Sequence, residues 1–122
     1  MDADAIRDAF SAFGPVQLRR MFGGHGVFRD GLMFALEADG TLFLKADEAD
    51  AQAFRDAGCT QFAYHKGDRD VAMSYWSAPL AALEDPDIMA EWARRAHATA
   101  RRLAKPGKPV RITPRRDTPA RR

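Results

Sequence analysis

The chain has one cysteine, no long apolar run and no N-terminal leader pattern. Cys59 alone excludes an internal disulfide framework and a cysteine-cluster zinc site. The longest apolar run spans only residues 32–36, whereas a membrane-spanning helix needs about 20 apolar residues. The N-terminus, Met1 to Asp4, is acidic and lacks the basic and apolar regions of a secretion signal. We therefore expect a cytoplasmic protein without a transmembrane helix.

The charge is divided unevenly along the 122 residues, a length that suits one domain. Residues 1–100 carry ten Lys and Arg against sixteen Asp and Glu, a net charge of −6. Residues 101–122 carry nine basic residues against the single acid Asp117, a net charge of +8. Four of the seven prolines lie in the same segment, and its apolar content is too low for a core. We predict a folded domain at 1–104 and a flexible, basic, proline-rich tail at 105–122.

Apolar residues at helical spacing predict three longer helices and one short helical turn. Asp2 or Asp4 is the expected N-cap of the first helix. Trp92 lies on the apolar stripe of the last helix, so we expect it to anchor that helix against a sheet. The predicted helices are Asp4–Phe13, Asp47–Ala57, Leu80–Leu83 and Asp87–Leu103.

Short apolar segments between turn residues predict an antiparallel sheet. Asp30-Gly31 and Asp39-Gly40 are typical of tight hairpin turns. The order is helix, strands, helix, strand pair and helix, which indicates an α+β, two-layer fold with helices flanking the sheet. The predicted strands are Val16–Phe22, Val27–Phe28, Leu32–Glu37, Thr41–Lys45, Gln61–His65 and Val71–Trp76, with a polar loop at 66–70.

The segment Gly23-Gly24-His25-Gly26 has two interpretations. As a glycine-rich loop it could present backbone N–H groups to an anion. As a structural element it would let strands bend where a Cβ would clash, or supply a positive φ at Gly24. The P-loop lysine is missing and no helix follows, so we favour the structural interpretation. His25 is the best histidine candidate here for a ligand or acid–base role.

No catalytic or metal-binding constellation is recognisable. His25, His65 and His97 are well separated and lie in no zinc-binding motif. Cys59 follows a predicted helix C-terminus, which disfavours a thiolate, so a structural thiol is expected. We therefore predict no enzyme activity, no metal and no cofactor.

The tail carries the nucleic-acid signal of the sequence. Cations on a flexible arm contact phosphates without reading bases, although a merely solvated tail explains the composition equally well. The aromatic residues of the 73–76 segment could stack bases on a sheet. The acidic charge of residues 1–100 opposes that, so core packing is expected. The candidate nucleic-acid-binding residues are Arg101, Arg102, Lys105, Lys108, Arg111, Arg115, Arg116, Arg121 and Arg122.

Several segments, in order, resemble the N-terminal domain of the TfoX/Sxy family of competence regulators. They include RMFGGHGVF at 20–28, DGLMFAL at 30–36, LFLKAD at 42–47 and MSYW at 73–76. The resemblance covers about residues 4–102 and implies an α+β fold, a regulatory or adaptor role and no catalytic residues to carry over. Full-length family members have a second, helical domain where this chain has its basic tail. The matching family positions, expected to be structural, are Met21, Phe22, Gly23, Gly24, Gly26, Asp30, Gly31, Tyr75 and Trp92.

The leading functional hypothesis is a non-enzymatic regulatory or adaptor domain, an accessory to transcription that acts through protein partners. One alternative is weak, sequence-nonspecific nucleic-acid binding by the tail. Another is a small-ligand site at residues 23–26. The expected partner is an unidentified protein, a homodimer is compatible with the sequence, and no membrane partner is expected.

Overall fold

The computed structural model describes residues 1–21 and 23–104, apart from the side chains of His65, Lys66 and Asp70. Phe22 and the predicted tail at 105–122 lie outside the described residues. The elements are α1 (Ala3–Ala9), β1 (Gln17–Met21), β2 (Gly24–Arg29), β3 (Leu32–Ala38), β4 (Thr41–Lys45), α2 (Glu48–Asp56), β5 (Gln61–Lys66), β6 (Arg69–Ser77), α3 (Leu80–Glu84) and α4 (Pro86–Ala104).

The six strands form one antiparallel sheet in the order β1-β2-β3-β4-β6-β5. Both predicted Asp-Gly turns are confirmed. Asp30 and Gly31 have φ of 56° and 77°, and Asp39 and Gly40 have φ of 51° and 81°. Positive φ at both central residues matches the right-handed twist of the flanking strands. The predicted α+β class is therefore confirmed.

The connection between β5 and β6 is shorter than predicted. Lys66 pairs with Arg69, which leaves only Gly67 and Asp68 in the turn, and Gly67 has φ of 64°. The expected polar loop at 66–70 is wrong because the strand pairing continues into those polar residues. The ladder is made by backbone N–H and C=O groups whatever the side chain, and a polar stretch gives no apolar alternation that would indicate a strand.

The helices start at residues that suit a helix N-terminus, and Asp2, one of the two N-caps expected for the first helix, is confirmed as its cap. The Asp2 side chain accepts a hydrogen bond from Ala5 N at 2.8 Å and begins α1. Asp47 caps α2 through Asp50 N at 3.0 Å. Pro86 occupies the first position of α4, where no intrahelical N–H bond is lost. In the described part, no helix is both long and apolar enough to cross a membrane.

The main core lies between the helices and one face of the sheet. It includes fully buried side chains from α1, β2, β3, β4 and α4, together with Phe54 of α2 and Ala82 of α3. Each helix contributes to this one cluster. The helices therefore form a single layer on one side of the sheet.

An extra residue in β3 changes which of its side chains lie on each face of the sheet. Val27 pairs with Ala35 and Phe28 pairs with Met33, so Phe34 is an extra residue without a partner in β2. Phe34 and Ala35 consequently both join the helix-side core, and alternation resumes one residue later. This places Leu36 on the other face of the sheet.

Candidate functional site

The face of the sheet that points away from the helices carries a second apolar cluster, which we call the open face. Its members come from β3, β4, β5 and β6, and no helix of the described part contributes to it. The cluster is built from buried Leu36, Phe62 and Tyr75 with partly buried Met33, Ala38, Phe43 and Met73.

The open face extends across β1 and β2. A Cβ added at Gly26 would lie 2.7 Å from the sulfur of Met21, 3.0 Å from that of Met33 and 3.0 Å from Phe28 Cε1. Gly26 thus makes room for three large side chains that meet above it. Met21, Phe28 and Met33 are all partly exposed, so the open face presents a continuous apolar surface from β1 to β6.

The charged side chains of the open face are cationic. Arg19 Cζ lies 4.9 Å from the centroid of the Phe28 ring, and Lys45 Nζ lies 4.9 Å from that of Tyr75. Burial lowers the pKa of Lys45. Strand alternation places Arg69 on the same face as Met73. Among the described strand residues, alternation and the β3 irregularity put no Asp or Glu on this face.

Tyr75 fills the middle of the open face rather than standing out from it. It is 5% exposed, and its hydroxyl donates a hydrogen bond to Met33 O at 3.4 Å. Burial raises the pKa of the phenol. A ring this deeply packed offers no free surface for a nucleobase, which agrees with the packing role expected for residues 73–76.

The glycine segment is a strand rather than the predicted loop. Only Gly23, with φ of 74°, lies in the turn, whereas Gly24, His25 and Gly26 belong to β2. The positive φ considered for Gly24 is therefore wrong. A Cβ at Gly24 would instead lie 1.9 Å from Glu37 O, so close backbone contact requires this glycine. Because β2 pairs with both β1 and β3, its amides serve the sheet, which favours the structural interpretation.

His25 has a carboxylate partner that the sequence did not indicate. Register places His25 opposite Glu37, and His25 Nδ1 lies 2.8 Å from Glu37 Oε1. Gly40 N donates to Glu37 Oε2 at 2.9 Å, and the Met1 amino group lies 3.8 Å from the same oxygen. Burial would raise the pKa of Glu37, but these contacts together hold it below its usual value.

The His25–Glu37 pair has only two potential metal ligands. Within the described residues, no three His, Cys, Asp or Glu side chains are arranged to hold a metal ion. The pair joins β2 to β3 and connects both to the N-terminus of the chain. Its geometry therefore favours a structural role.

Cys59 lies just after α2 and is partly buried. Burial raises the pKa of its thiol against the opposing effect of a hydrogen bond with Ser77. A raised pKa disfavours the thiolate, and hence a nucleophile, at neutral pH.

Two of the nine candidate nucleic-acid-binding residues are described, and both have partners within the domain. Arg102 forms an ion pair with Asp47, and Arg101 lies 3.2 Å from His97 Nδ1. The seven candidates from Lys105 to Arg122 lie outside the described residues.

Trp92 packs against the main core, which contains residues of both the sheet and the helices. It is partly exposed, and its ring centroid lies 4.8 Å from that of Phe54 in α2. Arg95 covers another part of the ring at 4.9 Å. Met89, on the same helical stripe, is fully buried in the core.

The family model of the TfoX N-terminal domain matches residues 8–100, nearly all of the described fold. The chain therefore belongs to the TfoX N-terminal domain family, as the sequence motifs indicated.

The chain is also similar to the DNA transformation protein TfoX1 of Aliivibrio fischeri (strain ATCC 700601 / ES114). The two are 36% identical over 64 residues, which cover 52% of this chain and 30% of that protein. The matched segment thus spans less than a third of the relative.

Proposed function

We propose that this domain is a non-enzymatic adaptor that binds a segment of a partner protein on the open face of its sheet. The observation that carries the proposal is the open face itself, a continuous apolar surface with cations and without carboxylates at its described positions. Apolar surface that no helix of the described part covers is typical of protein interaction sites.

The charges on the open face define the chemistry of the partner. Arg19 and Lys45 each lie above an aromatic ring, at places where a docked segment would meet them. The best complement is an extended or helical segment with apolar side chains flanked by Asp or Glu. Met21, Met33 and Met73 suit such docking because the flexible thioether adapts to varied apolar shapes.

Charge also argues against two other occupants. The chain's own tail, residues 105–122, carries a net charge of +6 and would be repelled by Arg19, Lys45 and Arg69. A second copy of the open face would bring the same cations toward each other. An acidic partner segment would be attracted by these cations and would avoid both kinds of repulsion.

The biological process of this interaction is part of the proposal. The relative's name associates that protein with DNA transformation, and we extend a regulatory role of this kind to the present chain. Family membership supports the extension. In this proposal the domain assists transcription by holding a partner protein rather than by catalysing a reaction.

A peptide-display selection with the full chain as bait tests the proposal. We expect enriched segments to combine apolar residues with Asp or Glu. The double variant R19E/K45E should bind these segments about tenfold more weakly, since reversing the exposed charge of Arg19 and the partly buried charge of Lys45 changes both attraction and repulsion. It should also come to favour segments that carry Lys or Arg.

A matched control reverses cations outside the open face. Arg94 and Arg95 lie on α4 in the helix layer, so R94E/R95E makes the same charge change and should leave the binding within about twofold. Selected segments without acidic enrichment, or equal weakening by both double variants, would contradict the proposal.

A second candidate function is supported by the tail's charge. Its net charge of +6 suits nonspecific contact with nucleic-acid phosphates. This activity is compatible with the adaptor role because it would use a different part of the chain.

A further inference from the structure

A cleft on the helix side of the molecule is lined by an unusual concentration of positive charge. It has a volume of about 350 Å³ and lies where the β2–β3 turn meets α4. That volume is within the range of small-molecule sites. The charged and titratable residues of the lining are Arg29, Asp30, Arg94, His97 and Arg101, and Phe13 and Ala98 complete it.

The three arginines of this cleft lack neutralising partners. Among the described residues, no carboxylate lies within 4.0 Å of Arg29, Arg94 or Arg101, whereas Arg102 nearby is paired with Asp47. Asp30 is the one acid of the lining, and its Oδ2 lies 3.6 Å from His97 Nε2. The cleft thus holds excess positive charge although residues 1–104, with twelve Lys and Arg against sixteen Asp and Glu, carry a net charge of −4.

The guanidinium of Arg29 is held in position by the fold. Its Nη1 donates to Phe13 O at 2.7 Å, and its Cζ lies 4.3 Å from the centroid of the Phe13 ring. One donor is used in this way and four remain, because a guanidinium has five N–H groups. Arg29 therefore faces the cleft preorganised and with unused donors.

His97 forms the buried floor of the cleft and fixes Arg101. Arg101 Nη2 donates to His97 Nδ1 at 3.2 Å, so Nδ1 is unprotonated. The proton then lies on Nε2, which donates to Arg29 O at 3.1 Å. The ring is held edge to face between Phe13 and Phe34. This buried histidine links the strand and helix that supply the arginines.

We propose that this cleft binds a phosphate group, free or as a small phosphate monoester. Guanidinium groups present paired N–H donors that match phosphate oxygens, and a bound dianion would relieve the repulsion among the three cations. Phosphate fits better than duplex DNA, because the acidic domain around the cleft repels a long polyanion but tolerates a compact one. The site is separate from the open face and does not depend on the adaptor role.

The test is a titration of the full chain with inorganic phosphate, balanced with NaCl at constant ionic strength. Arginine Nε–Hε signals in NMR spectra report the binding. Signals of Arg29, Arg94 and Arg101 should shift together and saturate, and that of Arg95 should not. Each of R94Q and R101Q should raise the phosphate Kd by about tenfold, since a hydrogen bond to a charged group is lost.

R95Q is the matched control because it removes the same charge from the same helix outside the cleft lining. It should change the Kd by less than about twofold. Adenosine 5′-monophosphate and a short DNA duplex distinguish the source of the phosphate. Monophosphate binding that requires Arg94 and Arg101 supports the proposal. Binding of the duplex alone, no saturable phosphate binding, or equal losses in all three variants would overturn it.

Discussion

At the scale of single residues, Gly24 shows how contact rather than backbone torsion selects a glycine. G24A should destabilise the fold by about 2–3 kcal/mol or more, because the new Cβ would lie 1.9 Å from the backbone oxygen of Glu37. G23A is the control, since Gly23 has φ of 74° but open space around it, and should cost only about 1 kcal/mol. Urea unfolding measures both. Equal costs would show that β2 and β3 are not in the contact described.

Glu37 should give the protein part of its acid sensitivity. Its pKa is lowered in the folded state, so the unfolded chain binds a proton more readily, and the stabilisation is lost as pH falls through the folded pKa. Between neutral pH and acid below about 4.5, E37Q should therefore show a flatter loss of unfolding free energy than the parent chain. At neutral pH it should be less stable by about 1–3 kcal/mol.

Urea unfolding across this pH range provides the check, with E84Q as control. Glu84 is exposed, so its substitution should leave the profile unchanged. An E37Q profile parallel to that of the parent chain would mean that the carboxylate is not stabilised by the His25 and Gly40 contacts.

At the scale of elements, α4 is held by its sheet contacts more than by its contacts with α2. M89A should cost about 2–5 kcal/mol, because Met89 is fully buried in the core. W92A should cost only about 1–3 kcal/mol, since part of the Trp92 ring is already exposed. W92F keeps an aromatic ring against Phe54, so it should retain most of the unfolding free energy that W92A loses. A larger loss of unfolding free energy in W92A than in M89A would contradict this order.

Local sequence signals predicted the elements whose causes are local. The two Asp-Gly turns follow from residues that accept positive φ, and the caps Asp2 and Asp47 lie next to the helices they start. The pairing of His25 with Glu37 could not be predicted from local signals, because the two residues are twelve positions apart and meet only through the register of β2 and β3.

The open face was also beyond local signals. Alternation separated Leu42 from Phe43, but it could not show that helices cover only one side of the sheet. The extra residue Phe34 in β3 reverses the alternation, so Leu36 lies on the open face, whereas a regular strand would place it on the helix side. The open face results from the placement of all described helices on one side of the sheet and from the extra residue in β3, and neither can be read from composition.

At the scale of the whole molecule, the uneven charge predicts weak and nonspecific DNA binding by the tail. With six phosphate contacts, a plot of log affinity against log salt would have a slope of about −5. A full-length variant with Arg115, Arg116, Arg121 and Arg122 replaced by Gln should reduce the slope by up to about 3.6. Titration against two unrelated duplexes checks this. A preference for one duplex, or an unchanged slope, would assign DNA binding to the folded domain instead.

The most direct test of the adaptor proposal is an NMR measurement on the methionine methyl groups. Met21, Met33 and Met73 belong to the open face, whereas Met89 of α4 is fully buried on the other side of the sheet. The full chain, labelled with ¹³C at these methyl groups, is titrated with an acidic, apolar peptide from the display selection. Saturable shifts at Met21, Met33 and Met73, with Met89 unmoved, are the predicted result. A saturated complex that leaves those three signals in place would contradict docking on the open face.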